Sequence, residues 1–160
     1  MKRRSSWKHN FFALFCAVVL ALSAISFHAS AMETNDPTVV IIYMDDGSYL
    51  EITITEFDTR AANSKTGKKT MVNKDPDGTV NWTATLTANF TYDGSTVKIN
   101  SALCTVDIVD TNWYVAYNST LRSGGTATTT LKMSVTYDGT TVATYPYTIS
   151  LTCDVNGNLS

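Results

Sequence analysis

Histidine is missing from most of this chain: His9 and His28 are the only two, and both fall within the first 31 residues. Without an imidazole, a Ser–His or Cys–His nucleophile has no base and a histidine-based zinc site has no ligands. Cysteine is almost as scarce, with Cys16, Cys104 and Cys153 alone. Basic charge is thin as well. Beyond residue 31 there are 8 Lys and Arg against 14 Asp and Glu, a net charge of −6 over 129 residues. That deficit excludes nucleic acid and an anionic membrane as expected partners. No stretch after residue 31 reads as a helix.

What precedes residue 32 is an address label. Lys2, Arg3, Arg4 and Lys8 lead into an apolar run from Phe11 to Phe27, and Ala29-Ser30-Ala31 supplies the small residues a signal peptidase accepts. The pattern predicts a helical secretory signal peptide over 1–31, cleaved after Ala31, and hence a secreted, extracellular chain free of the membrane. A retained anchor is the alternative, but the run falls a little short of the about 20 apolar residues a spanning helix uses. His9, His28 and Cys16 leave with the leader. Cys104 and Cys153 are expected to pair in an oxidising compartment. Such a disulfide contributes about 4 kcal/mol in the chain-entropy account. Two buried free thiols, or one thiol used as a nucleophile, are the rival readings.

Threonine is what the chain has in abundance, 26 of those 129 residues, much of it alternating with apolar side chains. Trp82, Ala84, Leu86, Ala88, Phe90 and Tyr92 alternate with Thr83, Thr85, Thr87, Asn89 and Thr91. A period of two sends the sets to opposite faces of a strand. Asp93-Gly94 then predicts a two-residue hairpin turn that sets Phe90 opposite Val97 and Ala88 opposite Ile99. Cys104, Val106 and Ile108 are out of phase with Val97 and Ile99, so a bulge is expected near Ser101-Ala102.

Residues 32–58 read as an N-terminal hairpin, with Val39–Tyr43 and Leu50–Ile54 flanking Asp45-Asp46-Gly47. Its first strand lacks alternation, which predicts burial on both faces or a cover from the next segment. Residues 59–69, where Arg60, Lys65, Lys68 and Lys69 sit among small polar residues, read as a linker or loop. Residues 70–160 read as the sandwich domain. There Trp113, Val115 and Tyr117 share a phase, Asn118–Gly125 reads as a loop, and a strand from Ala127 to Tyr137 ends at Asp138-Gly139. Tyr145, Tyr147, Ile149, Leu151 and Cys153 share a face. Pro146 has no N–H for a ladder and belongs on an edge or at a bulge, which the phase places near Val142-Ala143. Thr85–Val97 and Thr130–Val142 share a Thr, Leu, Tyr, Asp-Gly pattern and imply two similar hairpins.

About eight such strands predict an all-β fold, an antiparallel immunoglobulin-like β-sandwich. Cys104, Trp113 and Cys153 follow a Cys…Trp…Cys order at compressed spacing, so the likeness is one of architecture. Asn73 to Gly78 has oxygen-bearing residues at calcium-loop spacing, with Ala84 where the bidentate glutamate would stand. A hairpin turn accounts for those residues, and no metal or cofactor is expected. Asp107 and Asp110 are the nearest carboxylate pair for glycoside hydrolysis, and strand-end aspartates of this kind cap turns. The Asn-X-Thr triplets at Asn81, Asn89 and Asn118 are incidental beside a bacterial style of leader.

Asp77-Gly78, Trp82, Phe90-Thr91-Tyr92-Asp93-Gly94-Ser95, Cys104, Trp113, Gly124-Gly125 and Leu151-Thr152-Cys153 through Gly157 to Ser160 occur in an order that resembles an uncharacterised group of small secreted β-rich proteins from Gram-positive bacteria. The resemblance covers residues 68–160 and brings no activity, so it assigns no functional residue.

The expected function is a secreted, non-enzymatic binding or structural module. Trp113, Tyr114, Tyr117, Tyr145 and Tyr147 are the candidate ligand contacts, because aromatic faces stack on sugars and anchor protein partners. Alternation alone assigns all of them but Tyr114 to the core. A glycan or a cell-surface protein is the expected class of partner. The alternative is an extracellular carbohydrate-binding or carbohydrate-cleaving domain. Coplanar exposed rings would favour sugar binding, and two facing carboxylates in a cleft would favour cleavage.

Overall fold

Threonine and apolar residues in alternation extend into eight strands: β1 (Thr38–Tyr43), β2 (Tyr49–Asp58), β3 (Ser64–Lys74), β4 (Val80–Tyr92), β5 (Val97–Ile108), β6 (Trp113–Ser123), β7 (Thr126–Tyr137) and β8 (Thr140–Thr152). The computed structural model describes residues 38–58 and 63–160, and the expected signal peptide lies outside them. Strands β1 to β5 form a five-stranded antiparallel sheet and β6 to β8 a three-stranded one, each in chain order. The chain is an all-β sandwich, and within each sheet it runs as a simple meander. Residues 109–112 carry it from one sheet to the other.

The core is the apolar face of β4 set against β7 and β8. Trp82, Ala84, Leu86, Ala88 and Phe90 are fully buried, and they meet Ala127, Leu131, Met133, Ile149 and Leu151. Alanines between large residues let the facing side chains interdigitate, and each Leu or Phe so buried contributes about 1.5–3 kcal/mol. The threonines between them form cross-strand hydroxyl pairs, such as Thr126–Thr152 at 3.0 Å and Thr128–Ser150 at 3.2 Å.

The five-stranded sheet is wider than its partner, and the three-stranded sheet packs on β3, β4 and β5. This corrects two expectations. The stretch read as a linker over 59–69 is strand from Ser64 onward, because Lys65, Lys68 and Lys69 pair in register with both β2 and β4. Lys65 pairs with Glu56, Lys68 lies over the Phe57 ring and Lys69 is partly buried, while the backbone stays in the ladder. The hairpin of residues 32–58 is accordingly part of the sheet from β1 onward. Strand β1 lacks alternation for the opposite reason to burial: it is an edge strand beyond the reach of the second sheet, and Val39 to Tyr43 are all exposed.

The two similar hairpins are not alike in backbone. Asp138 and Gly139 both take positive φ, 48° and 71°, in a two-residue turn. Asp93 instead accepts bonds from the N–H groups of Ser95 and Thr96, at 2.9 and 2.6 Å, which opens a four-residue connection. Phe90 therefore faces Ile99, not Val97, and Ala88 faces Ala102, not Ile99. The expected change of phase in β5 is real, with Asn100 as the extra residue, just before the place the pattern indicated. The bulge near Val142-Ala143 is found as predicted, with Val142 as the extra residue, and Pro146 sits on the edge strand β8. The expected loop Asn118–Gly125 is strand as far as Ser123, and Gly124-Gly125 alone makes the turn.

The expected disulfide is absent. Cys104 and Cys153 are both buried free thiols. Cys104 bonds toward Thr129, whose ladder partner is Ile149. Cys153 lies four residues further along, about 13 Å at about 3.3 Å per residue, where a disulfide needs Cα atoms about 5.5–6 Å apart. Burial raises both thiol pKa values, so neither is a ready thiolate. Without prior reduction, alkylation of the denatured protein is expected to label both cysteines, read by peptide mass spectrometry. Reductant should leave the unfolding midpoint unchanged, whereas loss of a disulfide would remove about 4 kcal/mol.

Candidate functional site

The clearest concentration of functional groups is at the end of the sandwich where β4, β6 and β8 begin. Local sequence explains how it is built. After Val80, strand β4 has two consecutive buried residues, Asn81 and Trp82, because Asn81 is the extra residue of a bulge opposite Asn73-Lys74. A bulge re-aims a side chain that strict alternation would send outward. The Asn81 amide therefore turns inward and donates to Asn73 Oδ1 at 2.9 Å and to Asp75 Oδ1 at 2.8 Å. Its carbonyl accepts the N–H groups of Val109 and Asp110, both at 2.9 Å, which pins the connection between the sheets. Trp113 follows at the first position of β6.

Around this network lies a cleft of about 90 Å³. Buried Asn73 and Asn81 form its floor, with Asp75 beside them. Met44, Asp46 and Ser48 enter from the β1–β2 turn, and Trp113, Tyr145 and Tyr147 form the aromatic wall. The Trp113 and Tyr145 rings are 5.8 Å apart and tilted by 36°. Behind them Trp82 packs on Tyr147 at 5.1 Å and on Trp113 at 6.4 Å. The fully buried indole nitrogen of Trp82 has no hydrogen-bond acceptor among the described residues.

The electrostatics are negative. Asp46 accepts from Ser48 Oγ at 2.6 Å and Ser48 N at 2.9 Å, and these bonds hold its carboxyl below the usual range. Burial, followed by the charges of Tyr145 and Asp46, pushes the Tyr147 phenol up to about 12. No lining residue is basic. Among the described residues, no group of three or more His, Cys, Asp or Glu side chains converges on a point that could hold a metal.

Of the five aromatic residues singled out from sequence, the structure brings three together, Trp113, Tyr145 and Tyr147. The other two point away. Ala116 is the extra residue of a bulge in β6, so Tyr117 pairs with Lys132 on the outer face, where the ammonium lies 5.9 Å from its ring. The phase shared by Trp113, Val115 and Tyr117 is broken at that residue. Tyr114 is also on the outer face, with its hydroxyl 2.9 Å from Thr141 Oγ1. Asp107 and Asp110 do not line the cleft. Asp110 bonds the backbone N–H of Asn112 at 3.0 Å as a turn cap, and Asp107 pairs with Thr83. Asn81 is buried and engaged, which removes it as a glycan acceptor.

Sequence reasoning missed Asp46, Ser48, Asn73, Asp75 and Asn81 as members of one site. One signal was present: Asn81 is a polar residue adjoining the first core tryptophan of a strand that otherwise alternates strictly. A larger hollow of about 520 Å³ lies at the other end of the sandwich between Val97, Asn100, Arg122 and Gly124. No aromatic ring or carboxylate lines it, and Arg122 is occupied with the Asn100 carbonyl at 3.0 Å. The fold and the cleft thus define a β-sandwich with an acidic, aromatic-walled recess at one end. No family model, curated protein or solved structure matches the chain.

Proposed function

We propose that this protein is a non-enzymatic binding module, exported by the leader in residues 1–31 and acting outside the cell, with its ligand seated in the aromatic cleft. The observation that carries the reading is the convergence of Trp113, Tyr145 and Tyr147 with Asp46, Asp75, Asn73 and Asn81 from four separate parts of the chain. Rings give contact area at low entropy cost, and the amides and carboxylates give orientation. A space of about 90 Å³ is far below the about 300–1,000 Å³ that encloses a drug-sized ligand, so the cleft takes the end group of a larger molecule. The net charge of −6 supports a glycan or cell-surface protein as partner in preference to nucleic acid or an anionic membrane. The resemblance over residues 68–160 to small secreted proteins of Gram-positive bacteria fits the same reading.

Carbohydrate binding is the second reading, supported by Tyr145 at the rim beside hydrogen-bonding amides. Carbohydrate cleavage has weaker support. Asp46 and Asp75 share the cleft, but a general acid needs a raised pKa and Asp46 is held low. A glycan and surface-protein array probed with the exported chain tests the proposal. Tyr145→Ala is expected to weaken any retained ligand by about tenfold, the cost of one lost aromatic contact. Tyr117→Ala should leave that ligand unaffected. The reverse pattern would remove the cleft from the function.

A further inference from the structure

Three aromatic side chains, two carboxylates and no basic residue line one small cleft. Resting on the binding-module reading above, the geometry points to a small organic ammonium group, of the kind carried by choline or a methylated lysine, as the ligand moiety that seats in the cleft against these rings.

Aromatic faces carry negative quadrupole density and attract a cation within about 6 Å of the ring centroid, most strongly where water is excluded. Trp113 and Tyr145 are tilted toward one another by 36°, and Trp82 braces Trp113 and Tyr147 from behind at 58° and 59°. Trp113 and Tyr145 are in contact, 5.8 Å between centroids, so with Tyr147 they make a tilted aromatic wall on one side of the cleft, facing the side that carries Asp46 and Asp75. Both acids are held in place without a cation. Ser48 fixes Asp46, and the Asn81 amide fixes Asp75. The lysine that follows Asn73 in β3 is engaged elsewhere, Lys74 with Glu51. Burial is the main cause of the raised Tyr147 phenol, and Tyr145 and Asp46 add to it.

Other ligand classes match the lining less well. A divalent metal wants more oxygen ligands than two carboxylates offer, and much of this wall is ring carbon. An anion would meet carboxylates and no counter-charge. A pyranose stacks on coplanar rings, and these are tilted. A compact methylated ammonium presents apolar methyl groups to the rings and positive charge to Asp46 and Asp75, which uses both the aromatic and the acidic parts of the lining.

The test is an NMR titration of the purified protein with choline chloride, following the indole N–H signals and the amides of Asp46, Asp75 and Tyr147. The uncharged tert-butyl analogue of choline, sodium chloride and a set of simple sugars are titrated in parallel. The expected result is saturable shifts at the cleft with choline, and affinity for the tert-butyl analogue lower by about threefold or more, the scale of a partly exposed cation–π contact. Asp46→Asn and Tyr145→Leu, both at exposed positions, should each weaken choline by a similar factor with the thermal midpoint retained. Tyr117→Leu should not. Equal affinity for choline and its uncharged analogue overturns the ammonium assignment and leaves a binding cleft standing. Sugars titrating the cleft while choline does not has the same consequence. Silence of the cleft residues to every probe overturns the ammonium assignment, while the binding-module reading falls only if the glycan and surface-protein array also retains nothing.

Discussion

Trp82→Ala is expected to destabilise the protein by about 3–5 kcal/mol, a large share of the about 5–15 kcal/mol that holds a domain of this size together. The residue is fully buried, it is the largest side chain of the core, and it touches both Trp113 and Tyr147. Removing it leaves a cavity beneath two walls of the cleft, so the site should loosen along with the fold. Trp82→Phe is the informative companion. It keeps most of the volume and deletes an indole N–H that has no acceptor among the described residues. An unpartnered buried donor costs about 1–3 kcal/mol, so its removal offsets part of the lost packing. Urea denaturation of the two variants should separate them by about 2 kcal/mol or more in favour of phenylalanine. Equal losses would mean that the nitrogen has a partner after all.

Gly157→Ala should cost about 2–4 kcal/mol, combining a left-handed backbone penalty with overpacking. Gly157 has a φ of 89°, and a Cβ there would fall 2.6 Å from Cε2 of the Tyr92 ring. The tail is held in this position from several sides. Asp154 accepts the N–H groups of Asn156 and Asn158, both at 2.8 Å, and Thr152 and Ser160 exchange two backbone bonds at 2.9 Å. Gly94 N donates to Val155 O at 2.9 Å, tying the tail to the β4–β5 connection. Gly139→Ala supplies the control, since its φ is also positive but nothing lies within 4 Å of the added atom. It should cost only about 1–2 kcal/mol, the backbone part alone. In thermal melts, Tyr92→Ala with Gly157→Ala should cost less than the sum of the two single losses, although Tyr92 itself packs against the core. Strict additivity would show that the ring is not the obstacle.

Much of the fold was legible because a strand's faces are set by nearest neighbours in sequence. Trp82 to Phe90 declared its buried face through a period of two, and the phase breaks at Val97–Cys104 and at Val142 announced bulges that the structure contains. Where the reading failed, the deciding interaction came from outside the segment. Lys65 to Lys69 lack an apolar period, yet they lie in an inner strand held by its ladders to β2 and β4, and a strand of that kind resembles a linker in isolation. Val39 to Tyr43 look like a buried strand, yet they lie at an edge that the narrower sheet does not cover. The carboxylate of Asp93 turned an expected two-residue turn into a longer one.

The site shows the same division. Trp113, Tyr145 and Tyr147 could be named as aromatic candidates, while the exclusion of Tyr117 depended on one extra residue at Ala116 that no local pattern marks. Alternation in the amino-acid sequence determined that this chain forms extended strands, which residues of β4 and β7 turn inward, and where most of the turns fall, because those properties arise from steric and hydrophobic preferences over a few neighbouring residues. Only the tertiary structure decided that Cys104 and Cys153 stay apart, that Asn81 turns inward, and that two acids from distant turns meet three rings. Those outcomes depend on register and on the relative width of two sheets, which are set by contacts between residues far apart in the chain.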